Sequence, residues 1–325
     1  MKISVIIPYY NPDNDPELER LLIMAAKSAL DNLTGISEHE VIIVNDGSPS
    51  DPNLDALSGF SIKYLRRPHG MLGAARNTGM DNATGDVITF LDADDCYYPN
   101  TLEPCLKAMT ETGADVLGFG MVRTLNRETA VSHSSEKPVF SSPVSGNNYM
   151  LNHNLPGSAC RYLISLSLIR NNSLRFVENA FIEDEEFTPR LMHFSQHYVE
   201  TTLPVYVYCI REGSIITTET PETIQAKSAD TLKALASLVQ FKDRHLSEPH
   251  DGIDRKINFL AMDYLRRILR RKDWREKIEP GKDSLRRIGL YPLRGQYSIK
   301  YRLFSILSRS RAGLFLLYLA EKRYK

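Results

Sequence analysis

The chain has 325 residues, 42% of them hydrophobic and 25% charged, and its 40 Lys and Arg balance 40 Asp and Glu. That composition fits a soluble globular protein and excludes a largely disordered chain, a collagenous repeat or a low-complexity array. No uncharged apolar run reaches about 18 residues, so no spanning helix is predicted. Met1-Lys2 lead into a short apolar run with no cleavage pattern, so the protein is expected to stay in the cytoplasm.

In chain order, Ile3-Ser-Val-Ile-Ile-Pro8 is a β-branched run that reads as a buried strand stopping at Pro8. From Glu17, the residues Leu18, Leu21, Leu22, Ala25, Ala26, Ala29, Leu30 and Leu33 recur at three and four positions, which predicts an amphipathic helix. His39–Val44 is a second buried strand ending in Asn45-Asp-Gly-Ser48, and Ile62–Leu65 is a third. Gly73–Met80 reads as a short helix, and Asp86–Leu91 as a fourth strand running into Asp92-Ala-Asp-Asp95. A helix near 100–112 and a strand over Ala114–Phe119 follow, then a Ser-, Asn- and Pro-rich loop over 125–150. Two strands are expected near 197–209, and helices from about 222, clearest over Ile257–Arg271 and Tyr301–Lys322. The alternation predicts an α/β protein: a mostly parallel, Rossmann-like sheet with helices on both faces over 1–220, and a helical, basic region over 221–325. Four scattered cysteines without a Cys-x-x-Cys pair argue against a zinc site or a disulfide framework.

In parallel sheets ligands bind beyond the carboxyl ends of the strands. Polar clusters follow Ile7, Val44 and Leu91, and should converge on one rim. At Asp92-x-Asp94 two carboxylates one residue apart can both face that rim, and carboxylate oxygens suit Mg2+ or Mn2+ ions that keep positions open for substrate phosphates. The other reading is an Asp-rich turn capping the next helix. Asp46 is a third rim carboxylate, able to accept from a nucleobase N–H or a ribose hydroxyl, or simply part of a turn. Glycines around Arg76 and Asn77 would let the backbone approach a phosphate, with Arg76 a diphosphate or base contact. In Glu183-Asp-Glu-Glu186, four successive carboxylates repel one another, which raises the pKa of at least one and suits it to general-base work. The remaining acids are expected to make a solvated helix start.

Five segments in order carry a resemblance: Ile-Pro-Tyr-Tyr-Asn (7–11), Val-Asn-Asp-Gly-Ser (44–48), Gly-Ala-Ala-Arg-Asn-Thr-Gly (73–79), Leu-Asp-Ala-Asp-Asp (91–95) and Glu-Asp-Glu-Glu-Phe (183–187). Together they resemble the family 2 glycosyltransferases of GT-A fold, in particular those that build bacterial surface or capsular polysaccharide. A sixth, Arg211-Glu-Gly-Ser-Ile215, is similar to the segment after the last strand in those relatives. The resemblance covers residue 3 to about 217. It implies an inverting, metal-dependent transfer of a hexosyl or N-acetylhexosaminyl group from a nucleotide sugar, usually a UDP-sugar, to a hydroxyl acceptor. Carried over by position, Pro8, Tyr10 and Asn11 line the base pocket, Asp46 holds the uracil or ribose, and Arg76 lies near the nucleotide. Asp92 and Ala93 meet the ribose side, Asp94 holds Mn2+ or Mg2+, and Asp184 is the general base. Glu183, Arg161 and Arg211 are acceptor or diphosphate contacts, Arg161 standing where relatives often have Trp or Lys. Asn45 departs from the usual first Asp of its segment.

The even charge hides a split. Residues 1–250 hold 20 Lys and Arg against 32 Asp and Glu, and residues 251–325 hold 20 against 8. An acidic body argues against nucleic acid as a partner. Leu265–Lys272 and Tyr297–Lys325 mix Arg and Lys with Leu, Phe, Ile and Tyr, the pattern of a helix on an anionic membrane surface. The other reading is a helical subdomain packing its apolar stripe on the catalytic body. A peripheral place on the inner face of the plasma membrane would bring a glycan or lipid-linked acceptor within reach. Two other functions stay open: a sugar nucleotidyltransferase, which would want a basic Gly-rich loop where Tyr9-Tyr-Asn-Pro12 stands, and a catalytically silent membrane-surface module.

Overall fold

The computed structural model describes residues 1–125, 138–211, 220–245, 251–294 and 297–322. The chain divides into two compact units, one of Met1–Gly146 with Gly157–Thr220, the other of Asn147–Pro156 with Pro221–Lys325.

The first unit opens with β1 (Ile3–Tyr9), α1 (Pro16–Leu33), β2 (His39–Asn45), β3 (Ile62–Arg66), α2 (Met71–Asn82) and β4 (Val87–Phe90). It continues with β5 (Cys96–Tyr97), α3 (Leu102–Thr112) and β6 (Val116–Thr124). After the short helix α4 (Gly146–Asn152) come β7 (Tyr162–Ser165), α5 (Leu166–Asn171), α6 (Glu183–Phe194) and β8 (Tyr198–Cys209). Among the described residues these strands form one eight-stranded sheet in the order β3-β2-β1-β4-β7-β6-β8-β5. Its first four strands are parallel, β7 runs antiparallel to both β4 and β6, and β8 runs parallel to β6. All seven residues of β1 are buried. Because successive side chains of a strand point to opposite faces, both faces of the sheet are covered there. The helix α1 starts where Asp15 accepts from the Glu17 N–H with Pro16 in the first turn, and it buries Leu21, Leu22, Leu30 and Leu33. Each such burial contributes about 1.5–3 kcal/mol.

Three expectations change. The two strands expected near 197–209 are one twelve-residue strand, β8. Pro204 sits opposite Gly120 where the β6–β8 register shifts, and a bulge tolerates the missing N–H. The short strands β5 and β7 were not anticipated. Of the expected loop over 125–150, residues 126–137 lie outside the described residues; its end bridges to β8 at Phe140–Thr201 and Val144–Tyr198 before α4 begins.

The second unit comprises α4 with α7 (Pro221–Arg244), α8 (Asp251–Leu269), α9 (Trp274–Arg287), α10 (Ile299–Leu307) and α11 (Arg311–Lys322). The final stretch is therefore two helices, broken at 308–310. The apolar stripe of α8, with Ile257, Leu260, Leu265 and Leu269 buried, packs within this unit against α7, α9 and α11. The cations of 265–272 are largely paired: Arg266 and Arg270 each donate to the buried Glu321 of α11, Arg267 to Asp263, and Arg271 to Asp273. Arg266 and Arg270 thus tie the end of α8 to α11, while Arg267, Arg270 and Lys272 remain exposed. Among the described residues no helix is long and apolar enough to cross a membrane.

Candidate active site

Because β1, β2 and β4 are parallel, their carboxyl ends lie along one edge, with Tyr9 opposite Asn45 and Ile6 opposite Phe90. The three polar clusters meet there. Asn11 is buried and fully bonded within its own loop: its N–H donates to Ser48 Oγ, its Oδ1 accepts from the Asp15 N–H, and its Nδ2 donates to Tyr9 Oη and the Asp15 carbonyl. It shapes the loop and leaves Tyr10, 42% exposed, as the open side chain. The Tyr10 ring stacks on His69 with centroids 4.2 Å apart. His69 Nδ1 lies 2.9 Å from Asp46 Oδ2. The buried Asp46 carboxylate also accepts from Arg67 and from the Gly70 N–H at 3.1 Å. The turn that brings these segments together needs glycine at 47: its φ is +83°, and a Cβ would come within 2.6 Å of the His69 nitrogen.

The chain leaving β4 turns at Asp92–Asp95, closed by the Asp95 N–H donating to the Asp92 carbonyl. The three acids then diverge. Asp95 points inward, fully buried, and accepts from Tyr206 Oη at 2.5 Å and the Cys209 N–H at 2.8 Å. Burial first, and then the charges of Asp92 and Asp94, push its pKa up to about 9. Asp92 and Asp94 stay half-exposed at the rim, Asp94 with a side chain 31% exposed and 2.9 Å from Arg211 Nε.

Arg76 joins this turn to the second acidic run. Its side chain is only 1% exposed, with the guanidinium against the edge-to-face pair of Phe90 and Phe176, 5.6 and 5.4 Å from their ring centroids. One end, Nη2, donates to Asp92 Oδ1 at 3.1 Å and Cys160 Sγ at 3.4 Å. The other, Nη1, donates to Glu183 Oε1 at 2.9 Å and Asp184 Oδ1 at 2.6 Å. Burial opposes the Arg76 charge, and the surrounding groups, Asp184 foremost, outweigh it and hold its pKa well above the ordinary value. Asp184 Oδ2 accepts from the Ala159 N–H at 3.1 Å. Burial is the leading cause that raises the Asp184 pKa, against the pull of Arg76; burial and then Asp184 push Glu183 to about 8. Glu186 is buried and paired with Arg190 one turn on in α6. None of the four acids is exposed, so the solvated helix start expected for most of them is not what forms.

A family model described as "Glycosyl transferase family 2" matches residues 4–175, just over half of the chain. The chain belongs to glycosyl transferase family 2. Among curated relatives of this family 2 chain, glycosyltransferase GlyA of Streptococcus pneumoniae is 26% identical over 264 residues, covering 76% of the chain and 36% of GlyA. The succinoglycan biosynthesis protein ExoW of Rhizobium meliloti is 32% identical over 157 residues, 42% of the chain and 47% of ExoW. The chain thus spans between about a third and a half of the length of these relatives. The structure of S. aureus TarS 1-349 in complex with UDP-GlcNAc superposes with a TM-score of 0.58 at 19% identity, covering all of this chain and 91% of that one. The mannosyltransferase PcManGT from Pyrobaculum calidifontis, in complex with GDP-Man and Mn2+, gives 0.52 at 13% identity, covering 99% and 87%. These likenesses show the fold: the GT-A architecture expected from the motifs is the one found.

Within this family 2 glycosyltransferase, the rim brings together Pro8, Tyr10, Asp46, Asp92, Ala93 and Asp94, and Arg76 ties Asp92 to Glu183 and Asp184. Five positions differ from expectation. Arg76 was expected to touch the nucleotide and is instead enclosed by protein groups. The glycines of its motif were expected to admit a phosphate; a Cβ at Gly73 would meet the Val177 carbonyl at 2.4 Å and one at Gly79 would meet Ile6 at 2.3 Å, so they admit neighbouring protein. Asn11 is framework. Arg161 donates to the Phe119 carbonyl through Nε and Nη2, which turns it from an acceptor contact toward the sheet. Of the segment 211–215, only Arg211 is among the described residues. Sequence reasoning missed Arg67 and His69, whose only signal was their place just before the Arg76 motif, and Tyr206 and Cys160, which carried none. Asp92 and Asp94 fit a hard divalent cation: both are oxygen donors, half-exposed at the rim. Among the described residues no group of three or more His, Cys, Asp or Glu forms a closed cage. Mg2+-type ions are commonly held by one or two carboxylates together with substrate phosphates.

Proposed function

We propose that the chain is an inverting, metal-dependent glycosyltransferase that moves a hexosyl or N-acetylhexosaminyl group from a UDP-sugar to a hydroxyl of a glycan or lipid-linked acceptor, in bacterial surface-polysaccharide assembly. The observation that carries this reading is Arg76: one buried guanidinium bonds Asp92 at one end and Asp184 at the other, so the two acidic segments share a single site. The UDP-GlcNAc of TarS and the succinoglycan role in the name of ExoW support the donor and the pathway class.

On this reading the base packs on Tyr10 beside His69 and Asp46. The acceptor hydroxyl gives its proton to Asp184, whose pKa, raised chiefly by burial, makes its carboxylate a stronger base than an ordinary aspartate. Its oxygen bonds to the anomeric carbon as the bond from that carbon to the diphosphate oxygen breaks, the electron pair leaving with the diphosphate. Attack opposite the leaving group inverts the configuration. Asp94, with Asp92, would hold Mn2+ or Mg2+, which when bound supplies charge neutralisation to the leaving diphosphate. Arg211, beside Asp94, adds a fixed positive charge. Arg76 fixes the Asp184 carboxylate and stays bonded throughout. We place the transfer in the cytoplasm, at the inner face of a membrane that carries the acceptor.

A thermal-shift screen of nucleotide sugars with and without Mn2+ tests the donor. A UDP-sugar at about 100 times its dissociation constant should add about 2.7 kcal/mol of stability. Asp94→Ala should lose the Mn2+-dependent part of the shift. No shift with any UDP-sugar would count against the reading.

A further inference from the structure

The two C-terminal helices of the second unit carry large apolar side chains that nothing among the described residues covers. On α10, Ile299, Leu303 and Ile306 are exposed, spaced four and three residues apart, which puts them on one stripe of the helix; Ile299 is 77% exposed. On α11, Phe315, Leu316 and Leu319 are exposed at the same kind of spacing, with Leu316 55% exposed. The opposite sides of both helices are buried through Tyr301, Phe304, Leu314 and Glu321, so the exposed stripes are not helices left unpacked. The two helices meet tightly: a Cβ at Gly313 would lie 2.1 Å from the Leu307 carbonyl.

The charge around these stripes is of one sign. Lys300, Arg302, Arg309, Arg311 and Lys322 are exposed, and no carboxylate among the described residues pairs with any of them. The one acid between 299 and 322, Glu321, is buried under Arg266 and Arg270. The second unit thus neutralises its basic charge along α8 and leaves it unopposed on α10 and α11. Apolar side chains flanked by cations with no exposed carboxylate match an anionic lipid surface, where the apolar groups enter the acyl boundary and the cations meet headgroup phosphates. A second copy of the chain would bring like charges together across the same stripes.

We infer that α10 and α11 are the membrane-docking surface of this protein, seating Ile299, Leu303, Ile306, Phe315, Leu316 and Leu319 in an anionic bilayer. This deepens the membrane part of the proposed function and is independent of its sugar chemistry.

The test is co-sedimentation of the full chain with vesicles of phosphatidylcholine containing phosphatidylglycerol, and with phosphatidylcholine alone. Wild type should bind the anionic vesicles, bind neutral ones far less, and weaken with added salt. Leu303→Glu with Leu316→Glu should lower binding about tenfold or more. Arg302→Glu with Arg311→Glu should lower it about 25-fold or more, at roughly fivefold per cation removed. All these side chains are exposed, so both variants should keep the wild-type unfolding transition and the same stabilisation by UDP. That second readout separates failure of the docking surface from failure of the donor assignment. Equal binding of wild type and the leucine variant overturns the inference. So does absence of binding to anionic vesicles, or a dimer in solution that Leu303→Glu with Leu316→Glu dissociates.

Discussion

Glu183 and Asp184 are neighbours in the chain and face the same nitrogen, Nη1 of Arg76. One guanidinium end cannot fully compensate two buried carboxylates, so a proton remains near the pair at neutral pH. The consequence for stability has a definite sign. Glu183 has a folded pKa of about 8, above the ordinary ~4.3 for glutamate. Between those values the folded chain keeps a proton that the unfolded chain releases, so stability present at low pH is lost as pH rises through about 8. Glu183→Gln keeps an acceptor for Arg76 and cannot titrate. In urea unfolding the variant should gain on wild type by on the order of 3–4 kcal/mol between pH 5 and pH 8; parallel curves would refute the assignment. In the proposed mechanism the charged form of Asp184 is the active one. The kcat/KM profile should therefore fall on acidification at a pH above the ordinary aspartate value of ~3.9, and Asp184→Asn should cut kcat by about 10²–10⁴ while donor KM changes little. The carboxylates themselves were legible in the sequence as motifs. Their burial was not, because a run of four acids reads as solvated unless its buried counter-ion is known. Arg76 lies over a hundred positions away from that run and was expected at the nucleotide.

At the scale of elements, α2 explains why Arg76 is enclosed. Gly73, Ala74, Ala75 and Gly79 are all buried, and their small size lets the helix press on β1 and on the segment at 176–177. Asn77 then pins Phe176 by donating to its carbonyl and accepting from its N–H. A Gly79→Ala change should cost about 1–3 kcal/mol through contact with Ile6, although alanine is the better helix former. In a double-mutant cycle, Ile6→Ala should cost less in the Gly79→Ala background than in wild type; strict additivity would show that the contact is not the cause. The long periodic elements, β1, α1, β2 and β4, could be read directly because each repeats its signal over several residues. The strands β5 and β7 are two and four residues long and offer too little pattern. That 197–209 is one strand was not legible, since the bulge that accommodates Pro204 depends on β6, about eighty positions earlier.

For the whole molecule, the acidic and basic parts of the sequence follow the architecture. Acids gather in the unit that holds the sheet and the site, and cations dominate the helical unit, where α8 uses several of them to bind Glu321, Asp263 and Asp273. Composition revealed that asymmetry but not how it is divided between internal pairs and the open faces of α10 and α11. The account of function rests on one geometric relation: Asp92 and Asp94 serve the leaving group while Asp184 serves the nucleophile, and Arg76 keeps them in one site. The stereochemistry of the product tests this most directly. With an α-linked UDP-sugar, Mn2+ and a hydroxyl acceptor, NMR of the product should show a β-linkage from wild type and no product from Asp184→Asn, which should still bind UDP. An α-linked product, or undiminished turnover by Asp184→Asn, would contradict the account.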